Sequence, residues 1–331
     1  MAGRRRKKSG GRSYAWRYRG RIVACVFVEV IIICALVIMI GWNKGVKEWF
    51  EQFEQPVLKE VDISGINSPN AILMQARGGK ILGEINGEAQ IYPASMTKIM
   101  TVILGIENFD DLDEKITLTD EMFSGLYEQD ATQAGFQPGE EVRVIDLLYG
   151  AMLPSGAECC IALADTISGS EADFAELMNK KARKLGMENT HFCDSTGLHN
   201  PDHYSTVKDI AVLMKYCIKN DTFREIVETS RHSTGVTNIH PDGITYYSTM
   251  FKNLSDPTVT GGKILGGKTG YTSEAGHCLG SFAEIGGREY IFVSAGASGA
   301  DGNTIPHIQD AVTVYNRVGA AIEEKMNDNN K

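Results

Sequence analysis

The order of apolar and polar positions predicts a domain with one group of strands near its start and a second group before its final helix. Two short apolar runs near the start, AILMQA (71–76) and KILGEI (80–85), flank a Gly-Gly turn, as the two strands of a hairpin do. Near the end, GHCLGSFAEI (276–285) and EYIFVSAGA (289–297) have strand character and are joined by another Gly-Gly pair. We therefore expect one strand pair at each end of the folded region.

Between these strands the apolar period changes to that of helices. After the segment IYPAS, apolar residues recur at steps of three and four, namely Met96, Ile99, Met100, Ile103 and Leu104. Further helices are predicted over 144–153, 157–168, 171–186 and 206–219, and a final helix over 305–325 follows the late strands. Because terminal strands must meet to share one sheet, with the helices inserted between them, the pattern predicts an α+β domain.

A separate apolar segment precedes this domain. The run IVACVFVEVIIICALVIMI (22–40) contains a single charge, Glu29, and is long enough to cross a bilayer as a helix. Nine basic residues and no acid lie ahead of it, and such clusters stay on the cytoplasmic side. We expect an uncleaved signal-anchor. A cleaved signal peptide is the alternative, although its apolar region is usually shorter and MIGWNKG is a weak match to a cleavage site.

The chain is therefore predicted to contain five parts and to be a single-pass protein of the cell membrane. Its folded domain would lie on the extracytoplasmic face. The parts are a basic cytoplasmic segment (1–21), a transmembrane signal-anchor (22–41), a juxtamembrane stalk (42–70), the folded domain (71–326) and a short tail (327–331).

Charge and cysteine content narrow the function. Beyond residue 21 the chain has 24 basic against 42 acidic residues, a composition unsuited to nucleic acid. Five cysteines lie outside the membrane segment, and their spacing fits no metal site. We expect most of them to be buried and to act as small apolar residues. The sequence also permits a disulfide between Cys193 and Cys217.

One glycine-rich stretch carries two competing motifs. Residues 262–269 read G-x-x-x-x-G-K-T, a phosphate-loop pattern, whereas Lys268-Thr269-Gly270 reads K-T-G, a motif of penicillin-recognising serine enzymes. A phosphate loop needs a buried strand before it and a helix after it. Here a polar segment precedes and a strand pattern follows, so we do not expect nucleotide binding. The prediction is a strand edge at K-T-G, with the five residues upstream forming a turn into it.

Ser95 and Lys98 form an S-x-x-K pair at the start of a predicted helix. At positions i and i+3 they share one helix face, so the amine can reach the hydroxyl. A serine becomes a good nucleophile when a base takes its proton, and a neutral lysine can be that base. Burial and a nearby cation, for which Lys268 is the candidate, both favour the neutral amine. Taken alone, the pair also fits an ordinary polar helix start.

Two further elements complete a possible serine-enzyme site. Ser155 lies in a Pro-Ser-Gly break between two helical runs, where its hydroxyl would relay a proton; alone, it also fits a helix N-cap. In K-T-G, Thr269 would hydrogen-bond a substrate carboxylate and Lys268 would attract its charge. Gly270 would let a substrate backbone approach.

In this order and context, the three motifs resemble those of the serine-type D-alanyl-D-alanine carboxypeptidases, the low-molecular-mass penicillin-binding proteins. The resemblance extends from about Ala71 to about Met326. It includes the segments IYPASMTKIMTVILGIEN, LLYGAMLPSGAE, NTHFCDSTGLHNPDHYSTVKDIA and GGKTGYTSEAGHCL.

The resemblance implies a β-lactamase/transpeptidase-like fold, with an antiparallel sheet flanked by helices and a mostly helical lobe. Ser95 would attack the D-Ala–D-Ala bond of a peptidoglycan stem peptide, with Lys98 as base and Ser155 as proton relay. The backbone amides of Ser95 and Tyr271 would form the oxyanion hole. The resemblance implies no metal or cofactor, and β-lactam antibiotics would acylate Ser95.

One departure from the family pattern leaves two alternatives open. The second motif usually reads Ser-x-Asn, but position 157 is alanine, which permits a non-catalytic peptidoglycan-binding relative. A β-lactamase shares the three motifs but needs a dedicated carboxylate, usually in E-x-x-L-N. The nearest match here is Glu176-Leu177-Met178-Asn179, one residue short.

The histidines show no metal spacing. We expect His191, His199 and His203 to be hydrogen-bonded structural residues, and His277, close to K-T-G, to line the site.

Overall fold

The computed structural model describes residues 57–254, 256–299 and 305–329. The predicted signal-anchor (22–41) and basic segment (1–21) lie outside these residues and stay predictions. Among the helices of the described part, none is long and apolar enough to cross a membrane.

Ten strands and eight helices make up the described part, together with two short 3₁₀ turns at Ala94–Thr97 and Asp120–Phe123. The strands are β1 Asn70–Gln75, β2 Ile81–Ile85, β3 Lys115–Thr117, β4 Glu141–Arg143, β5 Arg231–Ser233, β6 Thr245–Tyr247, β7 Thr258–Val259, β8 Gly262–Thr272, β9 Gly276–Ile285 and β10 Arg288–Ala297. The helices are α1 Lys98–Asn108, α2 Val144–Met152, α3 Ala157–Ser168, α4 Glu171–Leu185, α5 Val207–Cys217, α6 Asp221–Glu228, α7 Thr249–Asn253 and α8 Pro306–Asn329.

The main sheet joins the two ends of the domain. Its six strands run antiparallel in the order β2-β1-β10-β9-β8-β7. The hairpin formed by β1 and β2 pairs with the late strands through β1 and β10, where Ile72 lies opposite Val293. The predicted α+β class, with terminal strands in one sheet, is therefore confirmed.

Helices cover both faces of this sheet. One face packs against the helical lobe, in which α1 to α6 surround a large apolar core that includes Met96, Ile99 and Phe174. The other face packs against α8 around a second cluster that includes Phe292 and Tyr315. The sheet is thus buried on both sides, as an apolar strand pattern requires.

Residues 57–69, assigned to the stalk by the sequence analysis, pack onto the folded domain. Leu58, Val61 and Ile63 are buried in the cluster beneath α8. The Asp310 carboxylate on α8 accepts four hydrogen bonds of 2.6–2.8 Å from the backbone and side chains of Asn67 and Ser68. The compact unit therefore begins earlier than the expected Ala71. The sequence did not indicate this, because the contacting residues are more than 240 positions apart along the chain.

Strand β8 corrects the prediction for the glycine-rich stretch. The residues upstream of K-T-G are not a turn: Gly262 to Thr272 form one continuous strand paired with β9. The turn lies at Thr260-Gly261, before the strand. A strand in place of a helix after Thr269 agrees with the exclusion of a phosphate loop.

The predicted helices agree with the structure to within a few residues. Thr206 caps α5, its hydroxyl accepting a 3.0 Å hydrogen bond from the Asp209 backbone amide. The sequence analysis missed α6, α7 and the two short hairpins β3–β4 and β5–β6. All five described cysteines are free, so the possible Cys193–Cys217 disulfide is not formed.

Replacement of Asp310 tests how α8 holds the start of the domain. Asp310→Ala leaves four donors without their charged acceptor, so we expect a loss of stability of about 3 kcal/mol. Thermal unfolding measures this loss. Glu323→Ala, an exposed position on the same helix, is the matched control and should stay within about 0.5 kcal/mol of the native protein. Equal melting temperatures for the two variants would contradict the role of Asp310.

Candidate active site

The structure brings Ser95 and Lys98 together at the start of α1. Ser95 lies in the 3₁₀ turn Ala94–Thr97, and Lys98 is the first residue of the helix. The Lys98 Nζ is 3.0 Å from the Ser95 Oγ and 2.6 Å from the Thr196 backbone carbonyl oxygen. The i,i+3 geometry expected from the sequence is therefore present.

Ser155 and Lys268 form a second hydroxyl–amine pair. Ser155 lies in the break between α2 and α3 and adopts a left-handed backbone, with φ of +74°. Its Oγ accepts a 2.9 Å hydrogen bond from the Lys268 Nζ, which also donates to the Thr269 carbonyl oxygen. Lys268 therefore reaches from β8 to the second motif and fixes its hydroxyl.

Both lysines are deeply buried, and this lowers the pKa of each amine. Lys98 is 3% exposed and Lys268 is fully buried. Burial is the main cause of the lowered pKa of Lys98. The pKa of Lys268 is depressed well below its usual range by burial and then by repulsion from Lys98. The site thus favours a neutral amine beside Ser95.

The K-T-G strand forms the wall opposite Ser95. Strand β7 pairs only with the first two residues of β8, so residues 264–272 form a strand edge. A Cβ at Gly270 would lie 3.0 Å from the Ser95 backbone nitrogen. A glycine at position 270 therefore lets β8 pack closely against the Ser95 turn of this chain. The sequence analysis had predicted a different reason for this glycine, the approach of a substrate backbone. Thr269 Oγ1 shares a 2.7 Å hydrogen bond with the Thr249 hydroxyl.

These elements enclose a cavity of about 630 Å³ with Ser95 in its wall. Its other lining residues include Ser155, Thr269, Gly270, Tyr271, His199, His277 and His307. Tyr271 is 59% exposed and stands at the rim.

The histidine predictions are met in part. His203 is buried, with its Nε2 2.8 Å from the Thr97 Oγ1 and its Nδ1 3.1 Å from an Asp194 oxygen. His191 contacts the Asp202 carbonyl oxygen. His277 lines the cavity, as expected, but so does His199, which packs edge-on against Tyr92. His199 is therefore a cavity residue. The sequence analysis did not predict this, because His199 belongs to no recognised motif.

The loop 194–197 positions Lys98, and sequence reasoning missed it. Thr196 supplies the carbonyl that accepts from the Lys98 amine. The Asp194 carboxylate accepts from the backbone amides of Thr196 and Gly197. Although burial raises the pKa of Asp194, its hydrogen bonds to His203 and this loop lower it to about 2. The sequence analysis included this segment in the family resemblance but gave it no role, because the contact to Lys98 is made by the backbone carbonyl of Thr196, which any residue could supply.

Ala157 is the first residue of α3 and is buried. Its methyl side chain lacks the amide that an asparagine at this position would offer to a ligand. Its backbone nitrogen donates a 2.8 Å hydrogen bond to the Thr132 carbonyl oxygen. Next to it, the buried Glu158 carboxylate accepts from the amides of Ala134 and Gly135. The second motif therefore anchors the 129–135 loop, from which Gln129 and Thr132 line the cavity.

The candidate lactamase motif does not face the site. Asn179 is engaged with the backbone of Phe192 through two hydrogen bonds of 2.7 and 2.8 Å. Glu176 is exposed on α4 and does not line the cavity.

Comparisons with known proteins agree with this geometry. The family model for D-alanyl-D-alanine carboxypeptidase, peptidase S11, matches residues 57–299. D-alanyl-D-alanine carboxypeptidase DacF of Bacillus subtilis is 36% identical over 231 residues, covering 69% of this chain and 57% of the relative. DacC of Escherichia coli is 33% identical over 262 residues, covering 72% of this chain and 58% of the relative. The chain therefore spans less than three fifths of the length of these two relatives.

Solved structures show the same fold. The crystal structure of the Streptomyces K15 DD-transpeptidase superposes with a TM-score of 0.69 and 29% identity, covering 79% of this chain and all of that one. A D-alanyl-D-alanine carboxypeptidase from Mycobacterium tuberculosis gives a TM-score of 0.69 at 22% identity, with 81% and 96% coverage, which supports the fold alone. The predicted transpeptidase-like fold is thus confirmed, and the chain belongs to the D-alanyl-D-alanine carboxypeptidase family of serine peptidases.

Proposed function

We propose that this protein is a serine D-alanyl-D-alanine carboxypeptidase that removes the terminal D-alanine from peptidoglycan stem peptides. The observation that carries the proposal is the 3.0 Å contact between the Ser95 hydroxyl and the buried Lys98 amine. Family membership supports the same reaction, and the open strand edge of β8 suits a peptide substrate.

In the first half of the reaction, Ser95 becomes acylated. A neutral Lys98 amine donates one hydrogen to Thr196 and keeps its lone pair for the Ser95 proton. As the Ser95 oxygen bonds to the carbonyl carbon, the oxyanion receives hydrogen bonds from the backbone amides of Ser95 and Tyr271. The peptide C–N bond then breaks, and D-alanine leaves with the proton.

Ser155 would carry that proton to the leaving amine. The Lys268 amine donates a hydrogen bond to the Ser155 oxygen. The hydroxyl hydrogen of Ser155 therefore points away from Lys268 and is free for proton transfer. Lys268 and Thr269 would attract the substrate carboxylate from the β8 edge. In the second half, water attacks the acyl carbon, and the proton transfers run in reverse to release the shortened peptide and free Ser95.

The two alternatives are less well supported. A β-lactamase would need a carboxylate to activate water, and neither residue of the candidate pair Glu176 and Asn179 lines the cavity. A non-catalytic relative would not need Lys98 and Lys268 buried in contact with the two serines. The proposal further places the domain on the extracytoplasmic face, attached through residues 22–41, as the basic head and apolar run indicate.

Penicillin labelling tests the nucleophile. Incubation of the protein with penicillin should add one intact penicillin mass, and peptide mapping should place it on Ser95. The adduct should be absent in Ser95→Ala, whereas Ser124→Ala, on an exposed residue outside the cavity, should label normally. Release of D-alanine from a D-Ala-D-Ala peptide is measured alongside. An adduct on another residue, or rapid penicillin turnover without an adduct, would overturn the proposal.

The pH dependence of acylation tests the role of Lys98 as base. Because burial lowers the pKa of Lys98, the acylation rate should rise with pH and level off below the ordinary lysine value of about 10.4. Protonation of Lys98 removes the base, so activity is lost on the acid side. Lys98→Arg introduces a permanently charged side chain that cannot act as a base, so it should slow acylation by about 10²- to 10⁴-fold. Lys208→Arg, near the surface, is the control.

A glycine-to-alanine substitution at position 197 tests whether the 194–197 loop holds the Ser95 turn in place. Gly197 has a φ of +80°, and a Cβ there would lie only 1.9 Å from the Ala94 carbonyl oxygen. Gly197→Ala should therefore displace the turn and strongly reduce penicillin acylation. Gly186 has the same φ of +80° with open space around it. Gly186→Ala should thus cost only about 1 kcal/mol of stability and leave acylation intact. Equal acylation by both variants would refute this role.

A further inference from the structure

Two buried side chains beneath the second motif each carry an oxygen atom without a hydrogen-bond partner in the described part of the chain. Glu158, which follows Ala157 on α3, is fully buried, and its Oε2 is unpaired. Tyr246 on β6 is 2% exposed, and its hydroxyl is unpaired as well. Buried polar atoms are nearly always hydrogen-bonded, so each of these oxygens calls for a partner. The proposed reaction uses neither residue.

The two unpaired oxygens border the same small region around Ala134. A Cβ at Gly156 would lie 3.0 Å from the Glu158 Oε2 and 2.7 Å from the Ala134 Cβ. A Cβ at Gly150 would lie 3.5 Å from the Tyr246 hydroxyl oxygen and 3.4 Å from the same Ala134 Cβ. The two glycines are neighbours, because the Gly156 amide donates a 2.8 Å hydrogen bond to the Gly150 carbonyl oxygen. A single small ligand between them can therefore satisfy both oxygens.

The chemistry of the two oxygens indicates which ligand fits. Burial raises the pKa of the Tyr246 hydroxyl, with further raising from Cys159 and Glu158, so the hydroxyl keeps its proton and can donate. Burial also raises the pKa of Glu158, and backbone donors that include Gly135 and Ala134 oppose this. A donor at Oε2 would add to that opposing effect. Water can accept from the hydroxyl and donate to the carboxylate, and buried waters typically satisfy such groups.

The other oxygen of Glu158 holds one wall of the cleft. The Glu158 Oε1 accepts hydrogen bonds of 2.6 Å from the Ala134 amide and 2.9 Å from the Gly135 amide. Three residues of the 129–135 loop line the cavity, namely Gln129, Asp130 and Thr132. A carboxylate whose second oxygen is also bound has one fixed orientation. Any group that fixes Oε2 therefore also fixes the cleft wall.

We propose that one buried water molecule accepts a hydrogen bond from the Tyr246 hydroxyl and donates one to the Glu158 Oε2. Through this water the β5–β6 hairpin holds Glu158, and Glu158 holds the 129–135 loop. Glu158 and Tyr246 are then positioning residues of the cleft, which act on acylation through the loop. The effect on acylation rests on the proposed function, whereas the water and the restraint on the loop do not.

Hydrogen exchange tests the restraint without requiring turnover. Tyr246→Phe removes the hydroxyl and keeps the buried ring, so the loop should open more often. Peptides that contain the Ala134 and Gly135 amides should exchange about 10-fold faster in this variant, as measured by mass spectrometry. Tyr247→Phe, which removes a more exposed hydroxyl from the same strand, is the matched control and should exchange like the native protein.

Penicillin acylation tests the positioning role. Glu158→Ala removes both oxygens and should slow acylation about 100-fold, whereas Tyr246→Phe should slow it about 10-fold. Glu158→Gln keeps an oxygen for the two loop amides and should therefore stay within about 5-fold of the native rate. Because the two residues act in series, the double variant Glu158→Ala/Tyr246→Phe should be no slower than Glu158→Ala alone. Melting temperatures establish that every variant is folded at the assay temperature.

A crystal structure of the native protein tests the ligand. It should show one water within hydrogen-bonding distance of both the Glu158 Oε2 and the Tyr246 hydroxyl. A direct contact between the two side chains, native exchange in Tyr246→Phe, or losses that multiply in the double variant would overturn the proposal. Native protein that is never acylated by penicillin would overturn the proposed function instead, while exchange and the crystal structure still decide the water link.

Discussion

The burial of two lysine amines in one cleft is the constraint on which this site depends. Lys98 and Lys268 come from opposite walls, one from the helical lobe and one from the sheet, and each contacts a serine hydroxyl. Two adjacent ammonium groups away from water would repel each other and lose hydration, so the folded state favours the loss of a proton. The fold thereby lowers the pKa of an amine that is normally charged and favours its neutral, basic form. Neither wall alone would bury both amines.

The backbone near the site is held in unfavourable conformations by the surrounding contacts. Ala94, Asp130 and Ser155 are three of the four non-glycine residues with positive φ in the described part of the chain. Ala94 precedes Ser95, Ser155 belongs to the second motif, and Asp130 lines the cavity. Such conformations cost on the order of 1 kcal/mol or more each, and they persist where the structure over-determines them. At two of these positions β8 supplies contacts, since Gly270 packs on the turn that holds Ala94 and Lys268 donates a hydrogen bond to Ser155.

Local sequence patterns predicted most of the regular structure and the chemistry of three motifs. The helices α3 and α5 carry their own apolar period, and α5 also its own cap, so they could be placed without knowledge of the fold. The start of β8 could not be placed, since its glycines indicated a turn. Gly266 serves close packing instead: a Cβ there would lie 2.4 Å from the Val227 carbonyl oxygen on α6. The anchoring of residues 57–69 was equally hidden, because its partner, Asp310, is far away in sequence.

The same distinction explains which site residues were found. Ser95, Lys98 and Lys268 act through side chains in short motifs, whereas Thr196 acts through its carbonyl oxygen, which any residue could supply. His307 lies in no motif, and its place in the cavity wall emerges only because the sheet places His277 of β9 beside the start of α8. With alanine at position 157, the second motif contributes a backbone anchor for the 129–135 loop in place of a side-chain amide. The side chains that line the cleft therefore come from the Ser95 turn, the β8 edge, the 129–135 loop and the residues around the start of α8.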